Sequence, residues 1–218
     1  MNLPNKLTVF RMILVPIMVI IPYLGLNGTL LGIPVSLLII DAIFVIASIT
    51  DKLDGTLARK NNQITTFGKF LDPIADKILV LAAMIMLVEF GKIPAWIPII
   101  ILFREFMVSG YRLMASQNGG EVIAASKWGK IKTVTQMIAI ITIFLDKFSF
   151  MAFAKFGNLM STGEIIWNIL TSAMLFICVV ATIFSGYEYL KNGKNLILSD
   201  KWKNNLSNYK KARKWILL

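Results

Sequence analysis

The chain has 218 residues, 56% of them hydrophobic, with a mean hydropathy of +0.70 and a formal net charge of +11. A soluble globular domain is seldom so apolar, so the composition points to one all-α domain of several membrane-embedded helices. There is no histidine, and the single cysteine, Cys178, lies in an apolar run, which excludes an intramolecular disulfide, a His- or Cys-based metal site and a histidine general base.

Residues 1–11 form an interfacial lead-in, with a turn signal at Pro4 and Asn5 and basic residues at Lys6 and Arg11. Asn5, Thr8 and Arg11 fall on one helical face by spacing. The first apolar run covers 9–26 and is followed by no small-residue cleavage pattern, so it is expected to remain in the chain. Asn27-Gly28 is a turn signal. The second run, 30–49, delivers a polar motif at its end, and 60–67 reads as a polar loop. The third run is 78–90, and Gly91 and Pro94 break the chain after it. The fourth, 95–108, carries Arg104 and Glu105 and leads on to Arg112. Residues 116–132 read as a loop and the start of a helix, before a fifth run at 134–145. A mixed loop, 146–163, precedes the sixth run at 165–184. Residues 196–218 form a basic tail, in which Trp202, Leu206, Tyr209 and Ile216 at helical spacing predict an amphipathic helix on the membrane surface. Several runs fall short of the roughly 20 residues a spanning helix needs. They reach that length only by extending into polar residues, which then face a cavity inside the bundle.

Six spans put both termini on one side, and the Lys/Arg count decides which side. The connections after runs one, three and five hold no basic residue, then Lys92, then Lys147 and Lys155. The opposite connections hold Arg59, Lys60, Lys69 and Lys77, then Arg104, Arg112, Lys127, Lys130 and Lys132, and the tail adds eight more from Lys191 to Lys214. The positive-inside rule predicts a multi-pass plasma-membrane protein whose termini, motif and polar cavity face the cytoplasm. The basic residues are interleaved with the spans, so they fit anionic lipid headgroups and phosphate substrates and argue against nucleic acid.

The chemistry concentrates between Asp51 and Asp76. Asp51 and Asp54 are three apart, Asp72 and Asp76 four apart, and on a helix each pair shares a face. The connection is short, so the two helices are expected to lie antiparallel with the carboxylate faces converging. Four converging carboxylates stay ionised only with cations between them, and all-oxygen donors suit a hard ion such as Mg2+ or Mn2+. Gly55 and Gly68 lack side chains where a phosphate or ligand backbone would approach, and Arg59 can clamp a phosphate. The bland alternative is an ion-paired helix end at the membrane surface. Asp41 lies ten residues before Asp51, about 15 Å along a helix and too far for the same site.

The motif resembles the signature of the CDP-alcohol phosphotransferase family, Asp-x2-Asp-Gly-x2-Ala-Arg-x8-Gly-x3-Asp-x3-Asp. All eight fixed positions match, at Asp51, Asp54, Gly55, Ala58, Arg59, Gly68, Asp72 and Asp76. Two further stretches, the Asn5–Arg11 opening and Gly129-Lys130-x-Lys132-Thr133-x2-Gln136, resemble the family's phosphatidylglycerophosphate-forming branch. The resemblance covers 3–195, divides the chain into a catalytic membrane domain (1–195) and the tail (196–218), and implies a homodimer. It implies transfer from CDP-diacylglycerol to glycerol 3-phosphate with release of CMP. It further implies a pair of divalent ions on the four aspartates, Asp76 as general base, and cytidine diphosphate held by Gly55, Arg59 and Thr65, with Ala58, Gly68, Asn5 and Thr8 expected beside them. Arg11, Arg104, Arg112, Lys130 and Lys132 are cations on the motif's side and are the candidates for an acceptor's phosphate, Arg104 foremost because it lies deepest in apolar sequence. Three rivals stay open: another acceptor such as serine or inositol phosphate, an intramembrane prenyltransferase, and an ion transporter built on the carboxylates.

Overall fold

The fold is that of a computed structural model, in which residues 3–26, 28–60, 66–117 and 127–197 are described, with side chains over 5–26, 28–50, 71, 73–112 and 128–191. The six apolar runs become six long helices: α1 (Leu3–Ile20), α2 (Val35–Lys60), α3 (Thr66–Glu89), α4 (Trp96–Gln117), α5 (Lys127–Phe144) and α7 (Thr162–Ile197). Short α6 (Ala152–Phe156) lies in the stretch expected to be a loop. The helices do outrun the apolar sequence. α3 starts well before residue 78, and α2 and α3 take Lys60, Thr66 and Phe67 from the expected loop.

The helix ends follow from local chemistry. Gly91, at φ 65°, closes α3 in a Schellman turn: its N–H donates to the Val88 carbonyl at 2.9 Å and the Lys92 N–H to the Leu87 carbonyl at 2.8 Å. Ser161 and Glu164 form a reciprocal capping box at the start of α7, the Ser161 N–H donating to Glu164 Oε2 at 3.0 Å and the Glu164 N–H to Ser161 Oγ at 3.4 Å. Between α1 and α2 stands a small antiparallel hairpin, β1 (Thr29–Leu30) and β2 (Ile33–Pro34). Its turn residues Leu31 and Gly32 have φ of 54° and 79°, the backbone of a type I′ turn. The tight turn therefore falls at 31–32; of the expected Asn27-Gly28 signal, Asn27 lies outside the described residues.

α1 packs on α2 and α3, α7 packs on α5 and α4, and α2 touches α5 between the two groups. Phe44, Leu79, Leu87, Ile97, Ile140 and Phe144 are fully or almost fully buried at this junction. The outer faces are apolar too: Phe10, Ile13 and Ile17 on α1, Ile99, Phe103 and Phe106 on α4, and Phe176, Ile177 and Ile183 on α7 are all exposed. Among the described residues, two helices are long and apolar enough to cross a membrane, Asn5–Leu24 and Thr162–Lys191.

The end of the bundle away from the motif is tied by a dense polar network. Asp146, buried just after α5, accepts from the Phe148 N–H, Asn168 Nδ2 and Thr171 Oγ1 at 2.9, 2.9 and 2.8 Å. Lys92 Nζ donates to the carbonyls of Asp146 and Lys147 at 2.6 and 3.0 Å. Burial pushes the Lys92 ammonium below its ordinary range, and Asp146 pulls partly the other way. Lys147 lies across the hairpin, where a Cβ on Gly32 would stand 3.0 Å from its Cε, and its ammonium donates to Glu164 at 2.8 Å.

Candidate active site

The motif straddles two consecutive helices. Asp51, Asp54, Gly55, Ala58 and Arg59 lie on the last turns of α2, and Gly68, Asp72 and Asp76 on the first turns of α3. The backbone is helical at all four aspartates, so both spacings do bring a pair to one face. α2 and α3 pack against each other. Four motif carboxylates with no softer donor among the motif residues are a donor set that suits a hard divalent cation. The side chains of Asp51, Asp54, Ala58, Arg59 and Asp72 and all of Thr65 lie outside the described residues. Among the described residues no three potential metal ligands stand together.

Asp76 is described. It is half-buried and lines a cavity of about 270 Å³ formed between α3, α4 and α5. Asp76 and Lys77 come from α3, Glu105 from α4, and Lys132, Thr133 and Gln136 from α5; Ile78, Leu81, Met84, Leu102 and Phe106 supply apolar walls. The cavity thus sets one motif carboxylate in a common space with two ammonium groups. Lys77 Nζ donates to Ser109 Oγ. Glu105 Oε1 accepts from Lys132 Nζ at 2.6 Å and from Arg104 Nη1 at 2.8 Å. Gln136 Nε2 donates to Met84 Sδ at 3.5 Å.

The structure divides the second cationic group. Lys132 is 4% exposed and lines the cavity beside Asp76. Arg104 turns toward α7, where Nη2 donates to Ser185 Oγ and the guanidinium sits 5.6 Å from the Tyr189 ring. Arg112 joins the same tyrosine, donating to its hydroxyl at 2.6 Å and lying 5.6 Å from the ring centre. Lys130 is exposed on α5. On α1, Asn5, Thr8 and Arg11 are all buried and continue the inward stripe of Val15 and Met18, so the expected common face exists. Asp41 is buried in α2, and its Oδ1 has no hydrogen-bond partner among the described residues.

The sequence alone singles out none of Ser109, Ser185 and Tyr189, and shows Glu105 only as the acidic neighbour of Arg104. The acidic residue in an otherwise apolar run was the available signal for Glu105. Ser109, Ser185 and Tyr189 carry none, because their partners lie 32, 81 and 77 positions away.

The model of the CDP-alcohol phosphatidyltransferase family matches residues 1–184. The chain is 42% identical over 205 residues to the CDP-diacylglycerol–glycerol-3-phosphate 3-phosphatidyltransferase of Bacillus subtilis (strain 168), covering 91% of this chain and 99% of that protein. It is 38% identical to the protein of the same description from Haemophilus influenzae, over 91% of this chain and 97% of the relative. With the Pseudomonas fluorescens protein it shares 34%, over 88% of this chain and 89% of the relative.

Proposed function

This chain belongs to the CDP-alcohol phosphatidyltransferase family, and from that membership we infer that it transfers a phosphatidyl group from CDP-diacylglycerol to glycerol 3-phosphate, giving phosphatidylglycerophosphate and CMP. In the reaction the acceptor's hydroxyl oxygen bonds to the lipid-side phosphorus, the bond from that phosphorus to CMP breaks, and the hydroxyl proton must leave. Asp76 is the base that takes it; its residue lines the cavity together with Lys132. The apolar walls keep water from competing for the same phosphorus. The family generally uses divalent metals. Asp51, Asp54, Asp72 and Asp76 would hold Mg2+ or Mn2+, two ions per site, and such ions neutralise charge on the diphosphate. Gly55, Ala58, Arg59, Thr65 and Gly68 hold the cytidine diphosphate, with Asn5 and Thr8 beside them. Lys132 holds the acceptor's phosphate, and Arg11, Arg104, Arg112 and Lys130 are the further candidates for that role, none of them in the cavity lining.

The observation that carries this reading is the shared cavity, which Asp76 on α3 and Lys132 on α5 both line. A proton acceptor and a phosphate-binding cation in one space are what an acceptor bearing both a hydroxyl and a phosphate requires. The long helices α1 to α5 and α7 each cross the membrane; their lengths, 18 to 36 residues, and exposed apolar faces support that. Residues 1–195 are the catalytic domain and 196–218 a basic surface helix. The termini and the cavity face the cytoplasm of a plasma-membrane homodimer. Labelling a cysteine placed at Lys60 from outside intact cells would overturn that orientation. The chemistry is tested by CMP release from CDP-diacylglycerol by purified protein with Mg2+ or Mn2+, with and without glycerol 3-phosphate. Release that needs both metal and glycerol 3-phosphate is expected; release with serine or inositol phosphate instead changes the acceptor, and none from folded protein removes the reaction.

A further inference from the structure

We propose that Glu105 is the positioning residue of the acceptor side: through one carboxylate oxygen it fixes the Lys132 ammonium at the cavity wall and ties it to Arg104. The proposal rests on the reading of Lys132 as the acceptor's phosphate anchor. Glu105 and Lys132 stand on different helices, α4 and α5, so their contact is a tertiary crosslink in the wall of the cavity that Asp76 also lines. Lysine is a compact charge on a flexible stem, and it serves as a fixed anchor only when something holds it. Here Lys132 is almost fully buried among apolar walls, and its ammonium pairs with Glu105 Oε1 at 2.6 Å. The same Oε1 takes Arg104 Nη1 at 2.8 Å, while Arg104 Nη2 donates to Ser185 Oγ and the guanidinium lies 5.6 Å from the Tyr189 ring on α7. One carboxylate thus serves two cations and leaves the wall net positive, with one of the two, Lys132, turned to the cavity. A phosphate arriving there meets a placed cation and need not organise a mobile one.

Glu105→Gln, which keeps the shape and removes the charge, is expected to raise the KM for glycerol 3-phosphate on the order of tenfold. The KM for CDP-diacylglycerol should stay as in the wild type, and kcat should fall by less than about threefold. Glu105→Asp retains the charge on a shorter stem and should fall between the two. Lys132→Met should raise the same KM at least as much, and the double variant should be no worse than Lys132→Met alone, since the carboxylate acts through the lysine. A role confined to folding would move both KM values and the thermal midpoint together, which overturns the proposal. So do additive effects of the two substitutions, or an unchanged acceptor KM in Glu105→Gln from an enzyme that still depends on glycerol 3-phosphate. A wild type whose CMP release ignores glycerol 3-phosphate fails the underlying reaction first, before any variant is made.

Discussion

The two ends of this bundle use the same ingredients to opposite purpose. At the hairpin end a lysine and an aspartate are buried together, and the network closes on itself: Lys92 donates to two carbonyls, and Asp146 accepts from a backbone N–H, an amide and a hydroxyl. At the motif end a lysine and an aspartate line a cavity, and the lysine is held by a single oxygen that it shares. Buried polar groups need partners, so a network closed on itself serves architecture, whereas one that lines a cavity can also offer its groups to a ligand. The difference can be broken by substitutions that cost activity at one end and stability at the other.

The largest effect is expected from Asp76→Asn. The amide keeps the volume and removes the proton acceptor, so turnover measured by CMP release should drop by about 10³-fold, with thermal stability and donor affinity largely kept. An Asp76→Asn protein that turns over at near wild-type rate would remove Asp76 from the role of base.

The sequence made this end partly legible. The 3- and 4-residue spacings of the aspartates need only a helical backbone to share a face, and the backbone is helical there. The six apolar runs and the Gly91 stop were legible for the same reason, being local. What was not legible is tertiary. Arg104 looked the foremost acceptor-side cation because its neighbours in sequence are apolar, yet Ser185 and Tyr189, 81 and 85 positions on, draw it to α7. Lys132 had no stronger claim in sequence, and it is the member of that group that lines the cavity. Lys92, counted as a topological charge, is a buried tie. The hairpin turn carries a leucine at φ 54°, a residue no turn rule selects.

Next in size is Asp146→Ala at the closed end. It strands the Phe148 N–H, Asn168 Nδ2 and Thr171 Oγ1 together, and a loss of about 3 kcal/mol is expected because orphaned buried donors cost more than the bonds were worth. Unfolding in detergent should show it, while kcat/KM of the folded fraction stays that of the wild type. Lys92 adds a pH dependence to this end. Its folded pKa lies below the unfolded value of 10.5, so between the two the unfolded chain binds the extra proton and stability rises with pH. Lys92→Met should flatten that rise.

Lys132→Met comes third and belongs to the open end. Loss of one charge-assisted contact to the acceptor's phosphate should raise its KM roughly 10- to 100-fold. Arg112→Met removes a guanidinium already engaged by Tyr189, outside the cavity lining, and should raise that KM less. Equal effects would mean that lining the cavity does not sort these cations, and the contrast between saturated and open groups would lose its use here.

The smallest effect tests the closed end at its rim. Glu164 takes part in two things at once, the ion pair with Lys147 and the capping box with Ser161. Lys147 is 42% exposed at its side chain, and exposed ion pairs contribute little because water screens them and the long side chain must be ordered. The cap satisfies backbone donors that the helix cannot satisfy itself, so it should dominate. Glu164→Gln retains a side chain able to accept from the Ser161 N–H and should leave the unfolding midpoint where it was. Glu164→Ala removes the side-chain half of the capping box and should lower it, by less than Asp146→Ala does. If Glu164→Gln and Glu164→Ala lower the midpoint equally, the ion pair across to Lys147 rather than the cap secures the start of α7, and this rim depends on charge more than the network behind it does.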